Sequence, residues 1–209
     1  MNFLAHCVIP ERAAPGADPD LIAGGFIGDF IKGRVPDDLP AGLAAGIRLH
    51  RRIDAYSNRH PLIRRSCERF PPELRRFAPI FVDVVADHLL AVHWHRFHPA
   101  DLPSFTAGAY RAIGPHRQRL SDGGRRFYRY MVEVDLLADY RHAAAMHRAL
   151  GGVLRRLGRE ALHREAVEAV EAQRAGLAAD FLDYFPDLIR HASEWLDAES
   201  LSRPVAAVS

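Results

Sequence analysis

The chain is predicted to be all-α, a single-domain bundle of roughly seven to nine helices. Three observations carry that reading. Apolar residues recur at three- and four-residue spacing, the period of a buried helix face. No β-branched alternation of useful length occurs, and no two-residue hairpin signal. The stretches between helices hold Pro, Gly and capping Asp or Ser. The chain has 209 residues, 48% of them apolar, enough for one sizeable core. Residues 1–199 are read as one domain and 200–209 as a frayed tail.

Residues 1–9 are apolar with His6 among them, and 10–19 read as a loop rich in Pro, Gly and Asp. Asp18 can cap the next helix, with Pro19 at its first position. That helix is expected to end near Gly33. Asp29 follows Ile22 by seven residues and Phe26 by three, so it faces inward with them. Gly24, Gly25 and Gly28 each weaken the helix by about 1 kcal/mol relative to Ala. They fit where another backbone, or a metal shell, approaches closely. Residues 35–40 form a turn and 41–56 the next helix. Leu43, Ile47 and Ile53 mark its apolar face, with His50 and Asp54 one turn apart beside it. A short helix over 62–70 is cut from the following one by Pro71 and Pro72. Residues 77–98 read as a single helix. Further helices are expected over about 105–120, 125–137 and 138–157, then a long amphipathic one over 159–196 kinked at Pro186.

The segment 77–98 organises the chemistry. Asp83 and Asp87 lie one turn apart among apolar residues, with His88 beside them. Like charges so placed repel unless a proton or a cation lies between them. The inward polar residues are then His6, Asp29, His50, Asp54, Asp83, Asp87 and His88. Mixed His and carboxylate donors suit Mn²⁺, Fe²⁺ or Zn²⁺, and the several carboxylates favour the harder ions. Each residue also has a plainer reading. His6 alone is compatible with a hydrogen-bonded core histidine, and His50 with Asp54 is compatible with a simple i,i+4 pair.

Net charge is +2, unevenly spread. Residues 31–76 hold 11 Lys and Arg against 5 Asp and Glu, a local +6 that favours an acidic partner. Arg51 and Arg52, beside the proposed ligands, are placed to clamp a phosphate. Aromatic residues are not interleaved with the basic ones, which argues against nucleic acid. Cys7 and Cys67 stand alone, without zinc or disulfide spacing. There is no GK[ST] phosphate loop and no GxSxG nucleophile motif. Nothing approaches the ~20 apolar residues of a spanning helix, and the first residues lack a signal-peptide pattern. A soluble, cytoplasmic protein is expected.

Four motifs in order, MNFLAH, GGFIGDFIKG, GIRLHRRIDAYSNRHP and DVVADHLLAVHW, resemble the acyl carrier protein phosphodiesterases. The resemblance implies an all-helical hydrolase related to the HD-domain phosphohydrolases, with a rearranged metal site. It implies removal of the 4′-phosphopantetheine arm from holo acyl carrier protein, an acidic protein, with Mn²⁺ as the usual metal and Mg²⁺ or Fe²⁺ as alternatives. His6, Asp29, His50, Asp87 and His88 match the family's polar positions and are the expected metal ligands. Asp54 or Asp83 is expected to orient the attacking water or accept its proton. Arg51 or Arg52 is expected to stabilise charge on phosphate oxygens. Two other readings remain open on the residues alone: a metal-dependent enzyme for a nucleotide or other small phosphodiester, and a helical binding module with a structural charge cluster.

Overall fold

Every regular element among the described residues is helical. The computed structural model describes residues 1–16 and 18–201. The first α-helices are α1 (Phe3–Ala13), α2 (Pro19–Ile27), α3 (Ala41–Ser57), α4 (Pro61–Glu68), α5 (Pro72–Arg75) and α6 (Ala78–Val92). They are followed by α7 (Leu102–Ile113), α8 (Asp122–Glu133), α9 (Leu136–Asp139), α10 (Ala143–Arg156), α11 (His163–Ala172) and α12 (Arg174–Leu201). The helices outnumber the sequence expectation because several expected helices are broken. The frayed tail expected from residue 200 begins inside α12, and 202–209 lie outside the described residues.

α6 is buried almost all round, as a helix apolar on every face must be. It packs against α1, α4, α10 and α12. It ends at Val92 instead of running on to His98. A short 3₁₀ turn, Trp94–Arg96, follows, and the Trp94 indole donates to Ala100 O at 2.7 Å, folding the chain back.

α2 and α3 cross at very short range. A Cβ on Gly24 would lie 2.4 Å from Leu43 O, and one on Gly46 would lie 2.3 Å from Leu21 O. Only hydrogen fits at that crossing, so the helix-weakening glycines of α2 serve the close backbone approach. The Asp18 cap is as the sequence predicts: its side chain accepts from Asp20 N–H at 2.9 Å, with Pro19 at the helix start.

Three further boundaries differ from expectation. α1 continues through Pro10 to Ala13 where a loop was expected. A proline removes one helical hydrogen bond, here the one to His6 O, and Gly25 packs against that carbonyl. α2 stops at Ile27, so Asp29 lies in a turn just past its end, with Phe30 N–H bonded to Ile27 O. The long C-terminal helix is interrupted at Gln173, while α12 runs on through Pro186.

α12 also binds the basic segment. Buried Asp180 accepts from Arg65, from Ser66 at 2.9 Å and from Arg69 Nε at 2.8 Å, tying α4 to α12. Arg48 pairs with Glu199 at 2.8 Å. Part of the +6 excess of residues 31–76 is therefore neutralised inside the fold.

Candidate metal centre

α1 and α3 bring two imidazoles face to face. The rings of His6 and His50 stack with centroids 3.9 Å apart. Asp54, one turn beyond His50 on α3, reaches both: His6 Nε2 to Oδ1 is 3.0 Å, and His50 Nε2 to Oδ2 is 3.3 Å. One ligand atom from each of the three lies within 4.8 Å of the others. Asp29 Oδ1, from the turn after α2, is 3.8 Å from His50 Nε2. Gly28 makes room for this arrangement, since a Cβ there would meet the His50 ring at 2.5 Å.

His50 Nδ1 lies 2.8 Å from Gly25 O, an acceptor only, so Nδ1 carries the hydrogen and donates. In the neutral ring Nε2 is then a lone pair, and it faces the carboxylates of Asp54 and Asp29. A proton or a cation must lie between them. This backbone-anchored tautomer is the arrangement that orients a metal-binding histidine. His6 gives the same result. Burial pushes it down to about 3, so the ring is neutral at neutral pH. If Nε2–H donates to Asp54, the Nδ1 lone pair is buried without a partner. If Nδ1 carries the hydrogen, the Nε2 lone pair faces a carboxylate. The donor set of two imidazoles and two carboxylates thus fits a divalent ion of the Mn²⁺, Fe²⁺ or Zn²⁺ class.

The carboxylates differ in state. Burial raises the Asp54 carboxyl, but the His50 and His6 imidazoles against it outweigh burial and hold the group well below the usual range. Burial pushes Asp29 and Asp83 upward. Asp83 Oδ1 lies 3.0 Å from the Met1 α-ammonium, which is also 3.4 Å from Asp54 Oδ1. That ammonium links Asp83 to the cluster.

The remaining expected site residues stand elsewhere. Asp87 is fully buried, and its oxygens accept from the Leu4 and Ala5 N–H groups at 2.8 and 2.9 Å. It satisfies two of the unpaired donors in the first turn of α1. Burial pushes its carboxyl up to about 7, against those two bonds. His88 points the other way, with Nδ1 2.7 Å from Tyr140 O. Arg51 donates to Ile31 O at 2.9 Å, holding the turn that carries Asp29 onto α3. Arg52 is exposed, and its place two residues from both His50 and Asp54 sets it about 160–200° away around the helix. The Met1 amine has no sequence signature as a site member. The Gly25 carbonyl was signalled only indirectly, by a glycine-rich helix with room for close approach.

In chelator-treated protein the buried neutral His6 makes stability depend on pH. Its folded pKa lies below the ordinary 6.5, so the unfolded chain binds the extra proton. The stability it supports above about 6.5 is lost as pH falls through that value toward about 3. The Tm advantage of wild type over His6→Gln is expected to be largest near neutral pH and to shrink on acidification. Paired thermal melts across that window measure it. A gap that does not change with pH means His6 is not held neutral by burial.

Comparison with known proteins adds a family. The family model described as acyl carrier protein phosphodiesterase matches residues 1–188. Proteins named acyl carrier protein phosphodiesterase are similar over nearly the whole chain. One from Photorhabdus laumondii is 31% identical over 193 residues, 92% of this chain and 95% of its own. One from Klebsiella pneumoniae is 34% identical over 197 residues, covering 92% and 97%. One from Escherichia coli O6:H1 is 31% identical over 198 residues, covering 92% and 98%. No solved structure matches.

Proposed function

The chain belongs to the acyl carrier protein phosphodiesterase family, and from that premise we propose that it hydrolyses the phosphodiester joining 4′-phosphopantetheine to a serine of holo acyl carrier protein. Water adds at phosphorus, the bond to the seryl oxygen breaks, and the products are apo carrier protein and 4′-phosphopantetheine. The observation that carries the metal-dependent form of this reading is the His50 tautomer, whose Nε2 faces two carboxylates.

His6, His50 and Asp54 would hold the divalent ion, with Asp29 beside them as a fourth donor and Mn²⁺ expected from the family resemblance. When bound, that ion supplies Lewis acidity, polarising a phosphate oxygen and making water a stronger acid. Gly25 O fixes the His50 tautomer, and Arg51 holds the Asp29 turn in place. Asp83, raised by burial, accepts the proton of the attacking water at the oxygen that the Met1 ammonium does not hold, and that proton passes to the seryl oxygen as its bond to phosphorus breaks. The Met1 ammonium beside it limits repulsion between Asp83 and Asp54. No helix among the described residues is long and apolar enough to cross a membrane. A carrier-protein substrate agrees with a cytoplasmic setting.

Mass spectrometry of holo carrier protein after incubation tests the reading. Loss of the whole arm is expected with Mn²⁺ and not after EDTA. Added Mn²⁺ is expected to raise the melting midpoint of the chelated protein in a concentration-dependent way. Hydrolysis of generic phosphodiesters with the carrier protein left intact points to a small-molecule enzyme. Melting and activity that are both indifferent to metal leave the cluster structural.

A further inference from the structure

A cavity of about 620 Å³ is walled by the start of α1 and by α6, α8 and α10. Its volume is within the usual range for a small-molecule site, roughly 300–1,000 Å³. Phe3, Val84, Phe127 and Val153 give it apolar walls. Asn2 and Tyr140 give it polar atoms: the Asn2 amide donates to the Tyr140 hydroxyl at 2.9 Å, leaving that hydroxyl its own hydrogen to donate. The cavity and the cluster share supporting elements. The first turns of α1 supply Asn2 and Phe3 to one and His6 to the other. α6 supplies Val84 to the cavity, next in the chain to Asp83, which the Met1 ammonium links to Asp54. Exposed Arg148, Arg155 and Arg156 stand at its margin, Arg148 paired with Asp139 and Arg155 with Glu160, itself a wall residue.

We propose that this cavity binds the pantetheine arm of the substrate while the phosphate lies at the cluster. This rests on the arm-release reaction proposed above. The arm is an uncharged chain with two amides, a hydroxyl and a pair of geminal methyl groups. Its methyls suit the aromatic and aliphatic walls, and an amide carbonyl suits the Tyr140 hydroxyl.

Gly152 gives a clean test. It lies on the cavity wall, and a Cβ built on it meets nothing within 4 Å. Leucine there has open space to enter and favours the helix over glycine. Gly152→Leu is therefore expected to fold, with Gly152→Ala as the small control; thermal melts check both. Pantetheine, carrying neither phosphate nor carrier, is titrated into each full-length protein by calorimetry. Wild type and Gly152→Ala are expected to bind it, and Gly152→Leu to bind at least tenfold more weakly and to lose at least tenfold in kcat/KM for holo carrier protein. Absence of pantetheine binding to wild type overturns the proposal. So does arm release by Gly152→Leu at the wild-type rate, although the reaction itself then stands. Pantetheine binding that Gly152→Leu abolishes, in a protein that leaves holo carrier intact, supports the cavity as an arm site and rejects the reaction.

Discussion

Asp54→Asn is expected to lower arm release by about 10³-fold, equivalent to ~4 kcal/mol of transition-state stabilisation. Asp54 is the residue on which the cluster converges. Its two oxygens face His6 Nε2 at 3.0 Å and His50 Nε2 at 3.3 Å. The amide keeps the shape and one acceptor but loses the negative charge, and it cannot bind a hard cation as a carboxylate does. The side chain is 40% exposed, so the fold does not depend on its burial. Helix content should stay near wild type while bound metal per folded protein, measured by elemental mass spectrometry, falls; the melting point of chelated protein should drop as well, because the amide loses the charge that pairs with the Met1 ammonium and the two imidazoles. His50→Ala should act in the same direction. Retention of normal metal content with activity within tenfold of wild type removes Asp54 from the centre.

The second large effect is on stability, at a residue that the sequence pattern grouped with the ligands. Asp87→Ala is expected to destabilise the protein by about 3–5 kcal/mol. The carboxylate is fully buried and takes two short hydrogen bonds from Leu4 and Ala5. Truncation leaves both N–H groups in the first turn of α1 without acceptors and opens a hole in α6. At roughly 2–4 °C per kcal/mol for a chain of this size, Tm should fall by about 6–20 °C. Asp87→Asn, which keeps one acceptor, should fall less. Folded Asp87→Ala should still take up metal, because the cluster is built by α1, α3 and the turn after α2. Metal loss with an unchanged Tm puts Asp87 back among the ligands.

Asp54 and Asp87 show where the sequence could be read and where it could not. His50 and Asp54 are one turn apart on one helix, so helical geometry alone places them together. Asp29 was singled out on a helical period with Ile22 and Phe26 that does not reach it, because the helix stops two residues before; the turn after α2, held by Arg51, is what brings it to His50. Asp87 and Asp83 look alike in sequence, since both are inward carboxylates on α6. What separates them is the partner each meets. The α1 N-terminus, more than 80 residues away in the chain, supplies the N–H groups that bind Asp87. Arg65 counted toward the basic excess of residues 31–76 for the same reason, because its partner Asp180 lies 115 residues on.

The sequence by itself determined the all-helical class, the capped start of α2, the glycine-lined close approach and the His50–Asp54 pair. These follow from local steric rules and from the 100° turn of a helix, which need no distant partner. The tertiary structure alone decided which inward charges converge and which are satisfied by backbone. It seated His6 on His50, gave Asp87 to the α1 N-terminus and turned His88 to Tyr140 O. Burial costs a polar group several kcal/mol unless it finds a partner. The pattern of residues records that cost, and only the packing of helices decides whether a peptide group, a side chain or a metal ion offsets it.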